Sequence, residues 1–228
     1  MRKSNLSHLL SALIILLMFI SKAIGGEIVE EFSSPQLNEE LWVIQKAGDA
    51  SHDIKDGKLI LSSPSPTDGI IIYYNAEVKD ASFIFEAKVD SSGIVNSGYV
   101  TTTKTMTPPE QSDTYNPLRL AQFRLKPDSW LVRDESIQDV VNGNIKSGMH
   151  TYRIELGDDN LMFYFDDKEV AEVPKVAESR FFSVSPDPYS SDYSGEVMVE
   201  YIKVSAPWII AVNSLGKLAT RWGDVKTK

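Results

Sequence analysis

Between Glu27 and Ala206 the apolar residues recur at nearly every second position, in short runs closed by Gly, Pro, Asp or Ser, and no long stretch holds helical spacing. Runs of this kind occupy 58–61, 69–74, 82–89, 118–126, 152–156, 161–165 and 196–204. Side chains alternate across a strand, so in SFIFEAKV (82–89) Phe83, Phe85 and Ala87 point one way while Ile84, Glu86 and Lys88 point the other. One face is core and the other mixed. A chain so dense in short strands and turn residues folds as an all-β antiparallel sandwich or barrel. No internal repeat or low-complexity segment interrupts the pattern.

The stretch MHTYRIELGDDNLMFYFDDKEVAEV (149–173) shows the local logic. Gly157, Asp158, Asp159 and Asn160 turn the chain between arms carrying Tyr152, Ile154, Leu156 and Leu161, Phe163, Phe165. Asp166, Asp167 and Lys168 make a second reversal into Val170, Ala171 and Val173. Tandem acidic turns suit calcium chemically, but these lack the regular alternation of a dedicated calcium loop and read as turn chemistry. No cofactor is expected.

The 228-residue chain opens with Arg2 and Lys3, then an apolar run from Leu9 to Ile20, then small residues around Gly25. That is the layout of a secretory signal, and the run is short of the ~20 residues a spanning helix needs. The expected division is a signal peptide over 1–25, one β-sandwich domain over 26–206 and a tail over 207–228, with the product secreted or held in the cell envelope. A domain of this length buries about 70% of its unfolded surface in one core, so the absence of cysteine is no handicap. The net charge is −9, and loss of Arg2, Lys3 and Lys22 with the signal deepens it further. Such a chain repels phosphate backbones and anionic lipid, which argues against nucleic acid as a partner.

The ordered series EEFSSPQLNEELWVI (30–44), HDIKDGKLILSS (52–63), SFIFEAKV (82–89), HTYRIELGDDNLMFYFDDKEVAEVP (150–174) and GEVMVEYIKVS (195–205) resembles the concanavalin A-like lectin/glucanase superfamily, and within it the LamG-like jelly rolls. The resemblance implies two antiparallel sheets face to face, one convex and one concave, with ligands on the concave sheet or its rim. Glucanases of that superfamily carry Glu-x-Asp-x-x-Glu on one strand, because retaining hydrolysis needs two carboxyls about 5 Å apart. That motif is absent here; the nearest approach, Asp134-Glu135, would face opposite sides of a strand. Lyases sharing the fold use Arg, Gln, His and Tyr. Arg153 and Glu155 resemble part of that set, but its Gln-Ile-His and Tyr-Phe-Lys companions are missing.

What remains is a binding surface. In LRLAQFRLKPDSWLVRD (118–134), Gln122 and Arg124 alternate onto one face, and Trp130 and Arg133 follow on a strand joined through Pro127-Asp128. An indole flanked by Arg and Gln suits a glycan, so Gln122, Arg124, Trp130 and Arg133 are the candidate ligand contacts, with Tyr74 as a fifth. Tyr73 and Tyr74 must face opposite sides of their strand, so only one can serve. His52 and His150 lack any metal-ligand pattern and read as structural. The polar loops 104–117 and 185–195 carry Tyr115, Tyr189 and Tyr193, and one of them is expected to border the concave face. In the tail, Leu215, Leu218, Trp222 and Val225 fall at helical spacing beside Lys217, Arg221, Lys226 and Lys228. It reads as a short amphipathic helix that docks on the sandwich or meets a protein partner. The reading is a noncatalytic carbohydrate- or surface-binding module; the alternatives are a glycoside hydrolase or polysaccharide lyase of the same fold, or a structural envelope component.

Overall fold

A computed structural model of the chain describes residues 26–65, 68–95, 97–106, 118–186 and 195–209. The expected signal segment, the helix expected in the tail and most of both polar loops lie outside the described residues. The chain divides into two compact units, the larger being Val29–Val204. In the smaller, Ser205 Oγ donates to Glu27 Oε2 at 3.4 Å.

Fifteen strands run through the described residues: β1 (Gly26–Glu30), β2 (Trp42–Ala47), β3 (Ser51–Lys55), β4 (Lys58–Ser63), β5 (Gly69–Tyr74), β6 (Phe83–Asp90), β7 (Gly98–Thr103), β8 (Arg119–Leu125), β9 (Ser129–Arg133), β10 (Asp139–Asn144), β11 (Met149–Leu156), β12 (Asn160–Phe165), β13 (Lys168–Pro174), β14 (Phe181–Pro186) and β15 (Gly195–Ala206). The first sheet has the order β13-β12-β11-β6-β15-β4-β3, and the second β10-β9-β8-β7-β14-β5-β2. All seven runs read from the sequence fall on strands of these two antiparallel sheets. The hairpins form where the turn chemistry placed them. Asp166 and Asp167 both adopt positive φ, 46° and 63°, the pairing a two-residue turn between twisted strands requires.

The core lies between the two sheets and is built from alternating aromatic residues. Phe83, Phe85, Ala87 and Val89 of β6 are fully buried on one face, as the pattern of SFIFEAKV requires. Phe182 of β14 meets Phe83 and Phe85 at ring-centre distances of 4.9 and 5.3 Å. Phe123 of β8 meets Tyr152 and Phe163 edge-on at 5.3 and 5.1 Å. Edge-to-face contacts of this kind add to the area term that drives the sheets together.

Glu86 departs from the simple pattern. It sits on the outer face of the first sheet yet is only 3% exposed, because Tyr201 donates to its carboxylate at 2.9 Å and Lys203 Nζ lies 2.9 Å away. A carboxylate withdrawn from water needs such partners.

Candidate functional site

One line of register partners crosses the second sheet from edge to edge. Val43 of β2 pairs with Tyr73 of β5, Tyr73 with Ser183 of β14, Ser183 with Thr101 of β7, Thr101 with Gln122 of β8, Gln122 with Arg133 of β9, and Arg133 with Asp139 of β10. A parallel row joins Ser185, Tyr99, Arg124 and Leu131. Strand alternation sends Phe182, Val184, Val100, Phe123 and Val132 into the core, so both rows lie on the outer face. Neighbouring strands stand about 4.8 Å apart, so the row offers one side chain for roughly each step of that length.

The face is polar in the middle and closed to water there. Tyr73, Ser183, Thr101 and Gln122 are each 0% exposed, whereas Arg124 and Arg133 are only partly buried. The Gln122 amide is half-satisfied: its Oε1 accepts from Thr101 Oγ1 at 3.4 Å, while its Nε2 donor has no partner among the described residues. Ser183 Oγ, Ser185 Oγ and Arg124 Nε are likewise shielded from solvent without a hydrogen-bond partner among the described residues. A buried polar group in that state costs about 1–3 kcal/mol, so a cluster of four calls for a reason.

Charge on the face is one-sided. The strands β5, β7, β8, β9 and β14 contain no Asp or Glu at all. Arg119 lies over the Tyr99 ring, 5.0 Å from its centre. Arg133 Nε donates to Asp139 Oδ1 at 2.7 Å, which places the only acid of the row at the far edge. Arg124 makes no ion pair among the described residues. At the opposite side, Ile71 and Tyr73 pack with Val43, Met106 and Phe181 to give an apolar flank.

Of the five candidate contacts, Gln122, Arg124 and Arg133 lie together on this face. Trp130 does not join them. It pairs with Leu125 rather than with an outer residue, and its ring packs against Phe123 at 6.0 Å and Phe165 at 5.4 Å, inside the core. Tyr74 is also a correction. It is wedged between Trp42 and Phe83 at 5.6 and 5.7 Å, and burial pushes its phenol up to about 12. Its neighbour Tyr73 takes the outer position, because consecutive residues of a strand face opposite ways. Thr101, Ser183, Ser185, Tyr99 and Arg119 were not anticipated. The alternations Tyr-x-Thr-x-Thr in β7 and Ser-x-Ser in β14, set against Val and Phe, were the available signal.

The other residues weighed from sequence have local roles. His150 holds Asp166 Oδ2 through Nδ1 at 2.7 Å and the Lys146 carbonyl through Nε2 at 2.8 Å. Arg153 sits on the first sheet, its guanidinium 4.1 Å from the centre of the Tyr164 ring and its Nε 3.1 Å from Glu155. His52 borders a cleft of about 920 Å³ along the edge of β2, together with Gln36, Asn38, Glu40 and Lys46. Burial and then Lys46 hold its imidazole below the ordinary value. Among the described residues no cluster of three or more His, Asp or Glu could hold a metal ion, and no helix is long and apolar enough to cross a membrane.

No protein-family model matches the sequence, and no curated protein matches it significantly. Solved structures do. The Emp47p carbohydrate recognition domain superposes with a TM-score of 0.56 at 11% identity, covering 78% of this chain and 93% of that one. The catalytic domain of an endo-1,3-β-glucanase (laminarinase) from Thermotoga petrophila gives 0.52 at 8% identity, covering 80% and 98%. The endo-β-1,3-glucanase of Pyrococcus furiosus gives 0.52 at 11%, covering 78% and 93%. The fold is the concanavalin A-like jelly roll. Jelly rolls of this kind include both a recognition domain and hydrolases, so the fold leaves the function to the residues on its faces.

Proposed function

We propose that this concanavalin A-like protein is an exported, noncatalytic carbohydrate-binding module whose ligand lies along the outer face of the second sheet. The observation that carries the reading is a set of polar atoms on the two rows, Gln122 Nε2, Ser183 Oγ, Ser185 Oγ and Arg124 Nε, shielded from water and without a hydrogen-bond partner among the described residues. Sugar hydroxyls and ring oxygens supply the missing acceptors and donors. The likeness of the fold to a carbohydrate recognition domain and to laminarinases supports a glycan over other ligands.

Binding without cleavage is favoured by the chemistry of the face. Retaining and inverting hydrolysis both need a pair of carboxyl groups flanking the scissile bond, and the five strands β5, β14, β7, β8 and β9 supply none. The test is a polysaccharide panel scored for retention and for released product. The expected result is retention without product, weakened at least about tenfold by Gln122→Ala, the scale of one buried hydrogen bond. Release of oligosaccharides by the purified protein overturns the noncatalytic reading, and retention indifferent to Gln122→Ala overturns the site.

A further inference from the structure

We infer that β2 pairs with β2 of a second copy of this chain, antiparallel about a two-fold axis at Ile44, joining the two second sheets into one. The inference stands apart from any ligand on the outer face. An open edge strand presents a row of unpaired backbone groups, and natural chains blunt such edges with charge, proline or a bulge. Three of the four sheet ends are blunted in this way. β13 carries Lys168, Glu169, Glu172 and Pro174, β3 carries Asp53 and Lys55 among its five residues, and β10 has a register break between Asp139 and Val141. β2 has neither proline nor glycine, pairs with β5 without a break, and bears a single charge, Lys46, near its end.

The ladder says which groups of β2 are open. The Leu41 carbonyl accepts from the Asn75 N–H at 2.8 Å, and the register continues as Trp42 to Tyr74, Val43 to Tyr73 and Ile44 to Ile72. Bonded and non-bonded pairs alternate along an antiparallel ladder, so Val43, Gln45 and Ala47 bond to β5 while Trp42, Ile44 and Lys46 turn their N–H and C=O groups away from it. The Trp42 N–H is taken by the Asn38 carbonyl at 2.9 Å. The N–H groups of Ile44 and Lys46 and the three carbonyls face the free edge. Beside that edge lies the cleft of about 920 Å³, lined by Trp42, Val43, Ile44 and Lys46 together with Glu40, so the preceding segment does not seal the strand.

A second β2 fits this edge in both hydrogen bonding and charge. With Ile44 opposite Ile44 of the second copy, each Ile44 N–H meets the other's Ile44 carbonyl, and each Lys46 N–H meets the other's Trp42 carbonyl. Every open N–H of the strand is then used, and the one pairing the register loses is at Trp42, whose N–H is already bonded. The side chains agree. Ile44 packs on Ile44, Val43 meets Gln45, and Lys46 comes over the indole of Trp42. Glu40 lines the same cleft two residues before Trp42, so each ammonium also arrives beside the other copy's Glu40. Neither Glu40 nor Lys46 belongs to an ion pair among the described residues. A parallel approach would instead set Lys46 against Lys46 and Glu40 against Glu40, which fixes the antiparallel sense. The net charge of −9 opposes association, so the contact is a weak and concentration-dependent one.

The experiment is sedimentation of the protein from about 1 μM to about 1 mM, the range of weak interfaces, with charge reversals at two exposed positions that the fold does not depend on. Expected is a rise from monomer to dimer. Lys46→Glu and Glu40→Lys each weaken it roughly tenfold, the scale of two exposed ion pairs turned into two repulsions. Mixing the two variants restores association, because each then meets its opposite charge in the other. Amide hydrogen exchange supplies the backbone readout: the Ile44 and Lys46 N–H groups are expected to gain protection as the dimer forms. A protein that stays monomeric throughout the range overturns the inference. So does a dimer indifferent to both reversals, or one that leaves the two amides as exposed as in the monomer. Amides already protected in the monomer also overturn it, since the chain's own residues would then cover the edge.

Discussion

Arg180 and Glu135 form a buried ion pair across 45 residues of sequence, with Nη1 and Oε1 2.7 Å apart and the two side chains 0% and 5% exposed. Further hydrogen bonds hold the pair: Glu135 Oε2 accepts from the backbone N–H groups of Val176 and Ala177, and Arg180 Nη2 donates to the Ala177 carbonyl, while Arg180 Nε has no partner among the described residues. Burial pulls the guanidinium below its ordinary value, and Glu135 opposes that pull. The pair therefore fastens the 175–180 segment to the loop after β9. Replacing Glu135 with Ala strands the cation and two backbone donors, and is expected to cost about 3–5 kcal/mol in denaturant unfolding. A loss below about 1 kcal/mol would show that water reaches Arg180 and that the pair is not closed off.

His150 gives a pH dependence of definite sign. Burial lowers its pKa, but the hydrogen bonds to Asp166 and to the Lys146 carbonyl prevail, and the net shift is upward from 6.5. A group with a raised folded pKa stabilises fully below its unfolded value and loses that contribution as pH rises through the folded one. Stability is expected to decline from just below pH 6.5 upward relative to Asp166→Asn, in which the shift collapses. Titration of the His150 ring by NMR checks this directly, and an apparent pKa at or below 6.5 in the native protein refutes it.

Gly143 is held small by Trp130. The two residues are register partners, and a Cβ at position 143 would stand 2.5 Å from the indole Cζ2. Gly143→Ala must push the indole toward Phe123 and Phe165, with an expected cost of about 1–3 kcal/mol and an altered tryptophan fluorescence spectrum. An unchanged melting midpoint would mean the ring has room to shift.

Tyr73 and Tyr74 face opposite sides of one strand, so substitutions at the two positions test the assignment of faces. The Tyr74 hydroxyl is buried without a partner, so Tyr74→Phe is expected to leave stability unchanged or raise it by up to about 1 kcal/mol, with glycan retention intact. Tyr73→Ala, on the outer row, is expected to weaken retention. If Tyr74→Phe abolishes binding while the fold persists, the assignment of faces is wrong.

Much of the architecture was legible because alternation is a local property. SFIFEAKV named its own core face, and the Asp-rich turns named the hairpins, before any coordinates. What alternation cannot give is which face of which strand meets the second sheet. Gln122, Arg124 and Arg133 could be placed near one another because they sit on one hairpin, where spacing alone relates them. Trp130 was misplaced on that same hairpin because the register, Leu125 opposite Trp130, depends on the length of the turn at Pro127-Asp128. Ser183 and Thr101 were missed for a different reason. Serine and threonine carry no distinctive chemistry in sequence, and only pairing β14 between β5 and β7 makes them neighbours of Gln122.

That pairing has a kinetic consequence. The meander β11-β12-β13 closes through short loops and can assemble early, whereas β14 must return from late in the chain to lie between β5 and β7. The row from Val43 to Asp139 crosses that late seam, so a partly folded molecule possesses hairpins before it possesses that row. If the proposed glycan site is right, recovery of retention after dilution from denaturant trails recovery of strand content, and the ligand reports the last step of folding.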